Sequence, residues 1–229
     1  MEAIIIIIIS VISILIIGTL MKTNKKEMEK IATDEELNKK ASLYPKNIEI
    51  CRTILKQVKN ENVKIEENEN SNSTYYIAIQ NKILIGNTHN SFTRIQTVIH
   101  ECLHTIQDRK LLIFNYIFSN IYLLYFLIIC ILLIIHKLPN ELLFSNILLI
   151  MGLIYYVVRI FLENDAMIKA EFITKEYIDE QKTGTEKDRK ELKEGFEKLN
   201  KGAIRGTNCI MFINIMIKVV FFNVLALIF

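Results

Sequence analysis

Three long apolar runs constrain the fold of this chain more than any other feature of its sequence. The runs cover residues 3–20, 111–135 and 142–162. Each is at or near the ~20 residues that a helix needs to span the hydrocarbon core of a bilayer. The sequence therefore predicts a mainly α-helical integral membrane protein.

A fourth apolar run, at residues 207–229, is a weaker match because polar side chains interrupt it. These are Asn208, Asn214, Lys218 and Asn223. A Lys near the middle of a span costs roughly 2.5–3.5 kcal/mol on insertion scales. Lys218 therefore either faces a polar interior between helices or lies in a segment that does not fully span. We expect about four transmembrane helices in total.

Basic residues indicate which side of the membrane the polar segments occupy. The first apolar run is followed by Lys22, Lys25, Lys26 and Lys30. Basic residues on that side, without a small-residue cleavage site, favour an anchor over a cleaved signal peptide. The link between the second and third runs carries little positive charge beyond Lys137. Because Lys and Arg concentrate in cytoplasmic loops, we expect a multi-pass plasma-membrane protein whose polar segments face the cytoplasm.

Charge and cysteine content exclude two other classes. The net charge is only +3 and its basic residues alternate with Glu, so the sequence favours no nucleic-acid partner. Four cysteines occur without a Cys-x-x-Cys pair: Cys51, Cys102, Cys130 and Cys209. This spacing predicts neither a zinc knuckle nor a disulfide framework, and we interpret the four as small buried apolar residues.

The sequence His100-Glu101-Cys102-Leu103-His104 carries the chemistry of the chain. On a helix, residues four apart lie on the same face, so the two imidazoles can bind one zinc ion. Glu101 lies about 100° around the helix from His100, within reach of a water bound to that metal. Zinc lowers the pKa of its water to ~7, where a carboxylate can accept the proton. The pattern predicts the core of a zinc peptidase.

The residues around this motif predict an amphipathic helix over about residues 92–109, capped by Asn90 or Ser91. Its apolar face consists of Ile95, Val98, Ile99, Cys102, Leu103 and Ile106. The alternative interpretation is that the two histidines are ordinary polar residues on a partly exposed helix. His89 precedes the motif in a loop, where a solvated side chain is favoured over a further metal ligand.

A zinc ion needs a third protein ligand, and Glu163 is the first choice. Two spanning helices between His104 and Glu163 would return the chain to the same membrane face, where a following helical segment begins. Asp165 and Glu171 are the alternatives. We expect the site at the membrane surface, because the metal helix is too polar to face lipid.

The polar segments predict a small α+β cytoplasmic domain that resembles a zincin. Helices are expected to start at Thr33-Asp34 and at Pro45, strands at residues 63–67, 75–80 and 82–85, and a helix at 186–201 capped by Gly202. The chain then divides into five parts: an anchor (residues 1–21), a part with the motif (22–110), a transmembrane hairpin (111–162), a cytoplasmic segment (163–206) and a last span (207–229).

The chain resembles the bacterial neutral zinc metallopeptidases of the membrane over nearly its whole length, and three stretches carry the resemblance. The stretches are His100 to Gln107, Glu163-Asn164-Asp165-Ala166 and Lys201-Gly202-Ala203. Members of that family usually have Gly, Ala and Phe where this chain has Leu103, Thr105 and Asn164.

The resemblance implies zinc bound by His100, His104 and Glu163, with Glu101 as the catalytic base. Asp165 also matches the family pattern. It would point about 200° from Glu163 on a helix, so we expect it to bond to a ligand His instead of the metal. A donor for the oxyanion is expected among Tyr75, Tyr76 and Tyr177.

We therefore expect a membrane-bound zinc endopeptidase that cleaves polypeptides, including membrane proteins, at the cytoplasmic surface. Three alternatives remain: an inactive membrane scaffold or adaptor that retains the motif, a zinc hydrolase of non-peptide bonds, and a transporter. Transporters place ionisable ligands near the membrane midplane, where this chain offers little beyond Lys218.

Overall fold

The computed structural model describes residues 1–68, 70–88 and 91–229. Two predictions, on His89 as a ligand and on Asn90 as a helix cap, lie outside these residues. The elements in chain order are α1 (Glu2–Leu20), α2 (Lys25–Ala32), α3 (Glu35–Ser42), α4 (Asn47–Gln57), β1 (Lys64–Asn68), β2 (Tyr75–Ile77), β3 (Lys82–Gly86), α5 (Arg94–His104), α6 (Arg109–Ile134), α7 (Glu141–Gln181) and α8 (Glu186–Ile228).

The fold is mainly helical, as predicted. Among the residues that the structure describes, four helices are long and apolar enough to cross a membrane: α1, α6, α7 and α8. Two of them are much longer than a bilayer requires, since α7 has 41 residues and α8 has 43, whereas ~20 are sufficient. Along the chain, α7 continues from an apolar into a charged sequence, and α8 continues from a charged into an apolar one.

The chain forms two compact units. One consists of Met1–Lys22, Phe114–Phe161 and Arg205–Phe229, and the other of Thr23–Ile113 and Leu162–Ile204. The first contains the apolar parts of the four long helices, and we call it the apolar unit. The second contains α2 to α5 and all three strands, and we call it the polar unit. The predicted placement of these parts in the membrane and the cytoplasm stays a prediction.

Two predicted helix ends are wrong. Gly202 does not cap a helix, because α8 runs through it to Ile228. Glu163 does not lie near the start of a new helical segment, because α7 runs unbroken from Glu141 to Gln181. Neither junction contains a proline, so the backbone hydrogen bonds continue where the side chains change from apolar to charged in α7 and from charged to apolar in α8. At Gly202, a Cβ atom would lie 2.5 Å from Met28 Sδ, so any larger residue there would require the Met28 side chain to move.

The short elements of the polar unit lie close to their predicted positions, except that β2 ends at Ile77 and not at residue 80, because the chain turns there with a bond from the Gln80 amide to Ile77 O. Asp34 caps α3 by accepting hydrogen bonds from the Glu36 and Leu37 amides. The three strands form one sheet in the order β1-β3-β2, with β1 parallel and β2 antiparallel to β3. Asn81 makes the tight connection between β2 and β3 with a φ of 49°. The sheet packs on a core that includes Ile54, Ile83 and Ile99, which are fully buried.

The apolar unit has its own small core, in which polar groups pair with one another. Asn223 donates to Ser145 Oγ at 2.7 Å, both of them buried. Lys218 Nζ lies 4.6 Å from the centre of the Tyr122 ring, a cation–π contact between α8 and α6. Of the two possibilities for Lys218, the structure favours a side chain that faces a neighbouring helix.

Candidate metal centre

The motif helix α5 is held at its first residue by a buried arginine. The Arg94 guanidinium donates four hydrogen bonds of 2.8 Å, to the carbonyl oxygens of Ala41, Tyr44 and Pro45 and to Asn47 Oδ1. Burial lowers the pKa of this guanidinium. Four oxygen acceptors stabilise its charge, and they fix the start of α5 against the loop between α3 and α4.

The helix is shorter at both ends than the predicted range of residues 92–109. It begins at Arg94 and ends at His104, where the chain tightens into a turn. The turn is closed by i→i+3 bonds, among them Gln107 N–H to His104 O at 3.3 Å. Asn60 stabilises it by donating to the Thr105 carbonyl and hydroxyl oxygens. This turn brings the Gln107 side chain back toward His104.

Three predicted metal ligands lie together in the polar unit. His100 Nε2 and His104 Nε2 are 3.0 Å apart. Glu163, on α7, places one carboxylate oxygen 3.4 Å from His100 Nε2 and the other 3.8 Å from His104 Nε2. His104 and Glu163 are each only 7% exposed. The site is therefore a largely buried cluster of two imidazoles and one carboxylate.

These distances fit the donor set of a tetrahedral cation. Zinc binds imidazole nitrogen and carboxylate oxygen at about 2.0–2.2 Å, which puts tetrahedral ligand atoms roughly 3.3–3.5 Å apart. The three observed distances, 3.0, 3.4 and 3.8 Å, lie around that value. Two histidines and a carboxylate would leave a fourth position open, as in catalytic zinc sites. The residues present thus suit a divalent metal ion.

Gln107 fixes the orientation of the His104 ring. Its Oε1 lies 2.8 Å from His104 Nδ1, while its Nε2 donates to the Leu162 carbonyl at 2.8 Å and to Asp165 Oδ2 at 3.0 Å. The amide can only accept at Oε1, so a neutral His104 carries its proton on Nδ1. Its Nε2 lone pair then faces His100 and Glu163, as a metal ligand requires.

Asp165 reaches the ligand histidine through Gln107. The predicted bond to a histidine therefore runs by way of this amide. Burial raises the pKa of Asp165, but the hydrogen bond from Gln107 and the ion pair with Lys169 outweigh it and hold the pKa below its usual value. Asp165 is therefore an anion that polarises the Gln107 amide.

Glu101 lies beside the two histidines and is held by the sheet. The ligand atoms of His100, Glu101 and His104 all lie within 4.8 Å of one another. Glu101 Oε2 accepts a 2.7 Å hydrogen bond from the Tyr76 amide of β2, and Oε1 lies 3.9 Å from His100 Nε2. One carboxylate oxygen is thus fixed by the backbone, while the other faces the cluster.

Three of the remaining candidates, Glu171, Tyr76 and Tyr177, contact residues outside the cluster. Glu171 pairs instead with Lys175 and accepts from Asn200. The Tyr76 hydroxyl donates to Asn81 Oδ1, and Tyr177 is buried against Tyr44. None of these contacts points a hydroxyl at the histidines, so the oxyanion donor stays unassigned. Sequence reasoning missed Gln107 and the Tyr76 amide; only the i+3 spacing of Gln107 from His104 could have indicated the former.

Comparisons of this chain with protein-family models, with curated proteins and with solved structures find no match.

Proposed function

We propose that the protein is a membrane-bound zinc endopeptidase, akin to the bacterial neutral zinc metallopeptidases that the motif residues resemble. One observation carries the proposal: Glu163 lies beside both imidazoles although 59 positions separate it from His104. A chance His-Glu-x-x-His pattern gives no reason for a distant buried carboxylate to meet the two rings. The buried charge of Glu163 suits a bound cation.

Zinc held by His100, His104 and Glu163 would supply a Lewis acid that polarises the scissile carbonyl and makes a bound water acidic near neutral pH. The chain itself supplies the general base. The Glu101 carboxylate oxygen that faces the cluster accepts a proton from the attacking water. Glu101 then passes this proton to the leaving amine. The Tyr76 amide keeps the carboxylate in place during both transfers.

The edge of β2 supports a peptide as the substrate. Within the described part of the chain, β2 pairs with β3 alone, and the Tyr76 N–H points away from β3 toward Glu101. This edge of β2 therefore runs past the catalytic carboxylate, and its Tyr76 amide is already bonded to Glu101. An extended peptide that lies along this edge would place its backbone beside the metal. We propose polypeptides at the cytoplasmic membrane surface, including segments of membrane proteins, as the substrates, because the charge pattern of the sequence predicts that location.

The test uses the full chain purified in detergent and analysed for metal and for cleavage of a peptide library. We expect about one zinc per chain. Glu101→Gln should retain the zinc and abolish cleavage, while His104→Ala and Glu163→Ala should lose the zinc. The matched control is Glu194→Gln, an exposed carboxylate on α8 that should change neither property.

The same measurements distinguish the alternatives. A chain without bound zinc after metal analysis would be a scaffold or adaptor that retains the motif. Zinc without peptide cleavage, but with Glu101-dependent hydrolysis of an ester or lipid, would indicate a zinc hydrolase of non-peptide bonds. Reporter tags near residues 60 and 190 should both report the cytoplasm. External tags would refute the predicted side and leave the zinc chemistry untouched.

A further inference from the structure

A cavity of about 250 Å³ opens beside His100 in the polar unit. Residues of four helices line it, since α2, α5, α7 and α8 all contribute. The apolar lining residues are Met28, Met167, Ala170, Leu199 and Ala203. His100 is itself part of the wall, so an occupant of the cavity lies directly next to the candidate metal centre.

The size of the cavity limits what it can hold. An apolar cavity of about 150 Å³ accepts benzene, whereas sites for drug-sized ligands begin at about 300 Å³. A volume of about 250 Å³ therefore suits one large side chain, such as that of Leu, Met or Phe. Small residues create this space, because Ala170 and Ala203 lie where longer side chains would fill it.

The chemistry of the wall selects against charge. The polar lining residues are Thr93, Gln96, Thr97, His100 and Asn200, so none is Asp, Glu, Lys or Arg. Asn200 contributes to the wall, but its Nδ2 already donates to Met167 O and Glu171 Oε2. A charged substrate side chain would lose its hydration without meeting a counter-ion, so the wall disfavours it.

A second cavity continues the first along α5. It has a volume of about 570 Å³ and shares Thr93 and Thr97 with the cavity beside His100. Its wall is polar and includes Ser73 and Thr74, the residues that immediately precede β2. A bound peptide could therefore place an apolar side chain in the first cavity and its polar backbone in the second.

We propose that the cavity beside His100 is the specificity pocket of the enzyme, and that it binds a large apolar side chain of the residue next to the scissile bond. This inference rests on the proposed peptidase function. The pocket lies between a ligand histidine and α2, where Met28 covers it. Met28 can approach α8 closely because Gly202 has no side chain.

The experiment compares peptides that differ only at the residue next to the cleaved bond: Gly, Leu, Phe or Asp. Burying a Leu or Phe side chain should raise kcat/KM about 10- to 100-fold over Gly, and Asp should be cleaved no faster than Gly. The affinity of the same peptides for the zinc-loaded Glu101→Gln variant, measured by calorimetry, should follow the same order without any cleavage. The full chain in detergent is used throughout.

Two variants test the pocket itself. Ala203→Phe should fill the pocket and remove the difference in kcat/KM between the Leu or Phe peptides and the Gly peptide. Met28→Ala should enlarge it and shift the preference from Leu toward Phe, which keeps the test valid if Ala203→Phe does not fold. Both should retain one zinc per chain. The control, Ala32→Phe, changes an exposed residue at the end of α2 and should keep the wild-type preference.

The outcomes separate this inference from the proposed function. A wild-type chain without zinc or without Glu101-dependent cleavage overturns both. Cleavage that depends on Glu101 but is equal for Gly, Leu and Asp overturns the pocket alone. So does an unchanged preference in both pocket variants. The pocket proposal is also overturned if an acyl chain co-purifies in the cavity and the preference among the peptides does not depend on it, because the occupant is then a lipid.

Discussion

Replacing Gln107 with Ala should weaken zinc binding about 10- to 100-fold, the usual effect of losing the partner of a ligand histidine. The structure supports this size. The change removes the 2.8 Å contact at His104 Nδ1 and both donations to α7. One hydrogen bond contributes about 0.5–1.5 kcal/mol. The bond at His104 and one of the two bonds to α7 together correspond to about 1–3 kcal/mol, or roughly 5- to 140-fold in zinc affinity at about 1.4 kcal/mol per tenfold.

Gln107→Glu separates the two roles of this residue. A carboxylate can still accept from His104 Nδ1, so the lone pair at Nε2 should remain directed at the metal. The donor to Leu162 O and Asp165 is lost, and two negative groups then face each other. We therefore expect zinc affinity nearer to wild type than in Gln107→Ala, but a lower free energy of unfolding for the metal-free protein.

The assay is competition for zinc with a chromophoric chelator, carried out on the full chain in detergent. Gln80→Ala is the matched control, because Gln80 is exposed in the connection between β2 and β3. Zinc affinity of Gln107→Ala within about twofold of wild type would refute the reasoning, since the orientation of His104 would then not depend on this amide.

Three further predictions concern stability, each measured as unfolding of the full chain in detergent. Arg94→Met should lower the free energy of unfolding by about 3 kcal/mol or more, because its four acceptors lose a charged donor; the exposed Arg52→Met should change it by no more than about 0.5 kcal/mol. Gly86→Ala should destabilise by about 1–3 kcal/mol, because a Cβ would lie 2.6 Å from Ser73 O, whereas Gly206→Ala, with nothing within 4 Å of the added Cβ, should be neutral or stabilising. Glu197 lies in the polar unit, and hydrogen bonds from Lys175 and Lys201 lower its pKa from 4.5 to about 2. The pKa of Glu197 is lower in the folded than in the unfolded protein, so the ionised carboxylate stabilises the fold fully above pH 4.5, and this stabilisation is lost as the pH falls toward 2. Glu197→Gln should therefore flatten the dependence of Tm on pH between pH 4.5 and 2. An unchanged slope would contradict this.

Local spacing predicted the elements whose partners are near in sequence. The positions of His100, Glu101 and His104 on one helix follow from the i, i+4 rule, and the cap at Asp34 follows from side-chain chemistry at a helix start. The apolar runs predicted four helices of membrane length. These patterns could not predict that α7 continues past Glu163 or that α8 continues past Gly202. Hydropathy marks a change of surroundings, and a helix continues through such a change unless a residue breaks its hydrogen bonds.

The missed contacts at the site depend on tertiary structure. The Tyr76 amide meets Glu101 because the tertiary fold packs β2 against α5. Gln107 reaches α7 only because α5 ends at His104 and the chain turns there. On the predicted helix over residues 92–109, Gln107 would still lie on the same face as His104. The sequence alone could not show that α7 lies beside this amide and accepts its hydrogen bonds.

Gln107 also accounts for how two distant segments hold one geometry. Its Nε2 donates to Leu162 O and to Asp165, positions on either side of Glu163 in α7. Residues 162 and 165 lie on nearly the same face of a helix. Two bonds to them therefore fix both the position of α7 along its axis and its rotation about that axis, relative to Gln107. Fixing that rotation sets the direction of the Glu163 carboxylate. The amide that orients His104 thereby positions the third ligand as well, and the loss of Gln107 should disturb both ligands together.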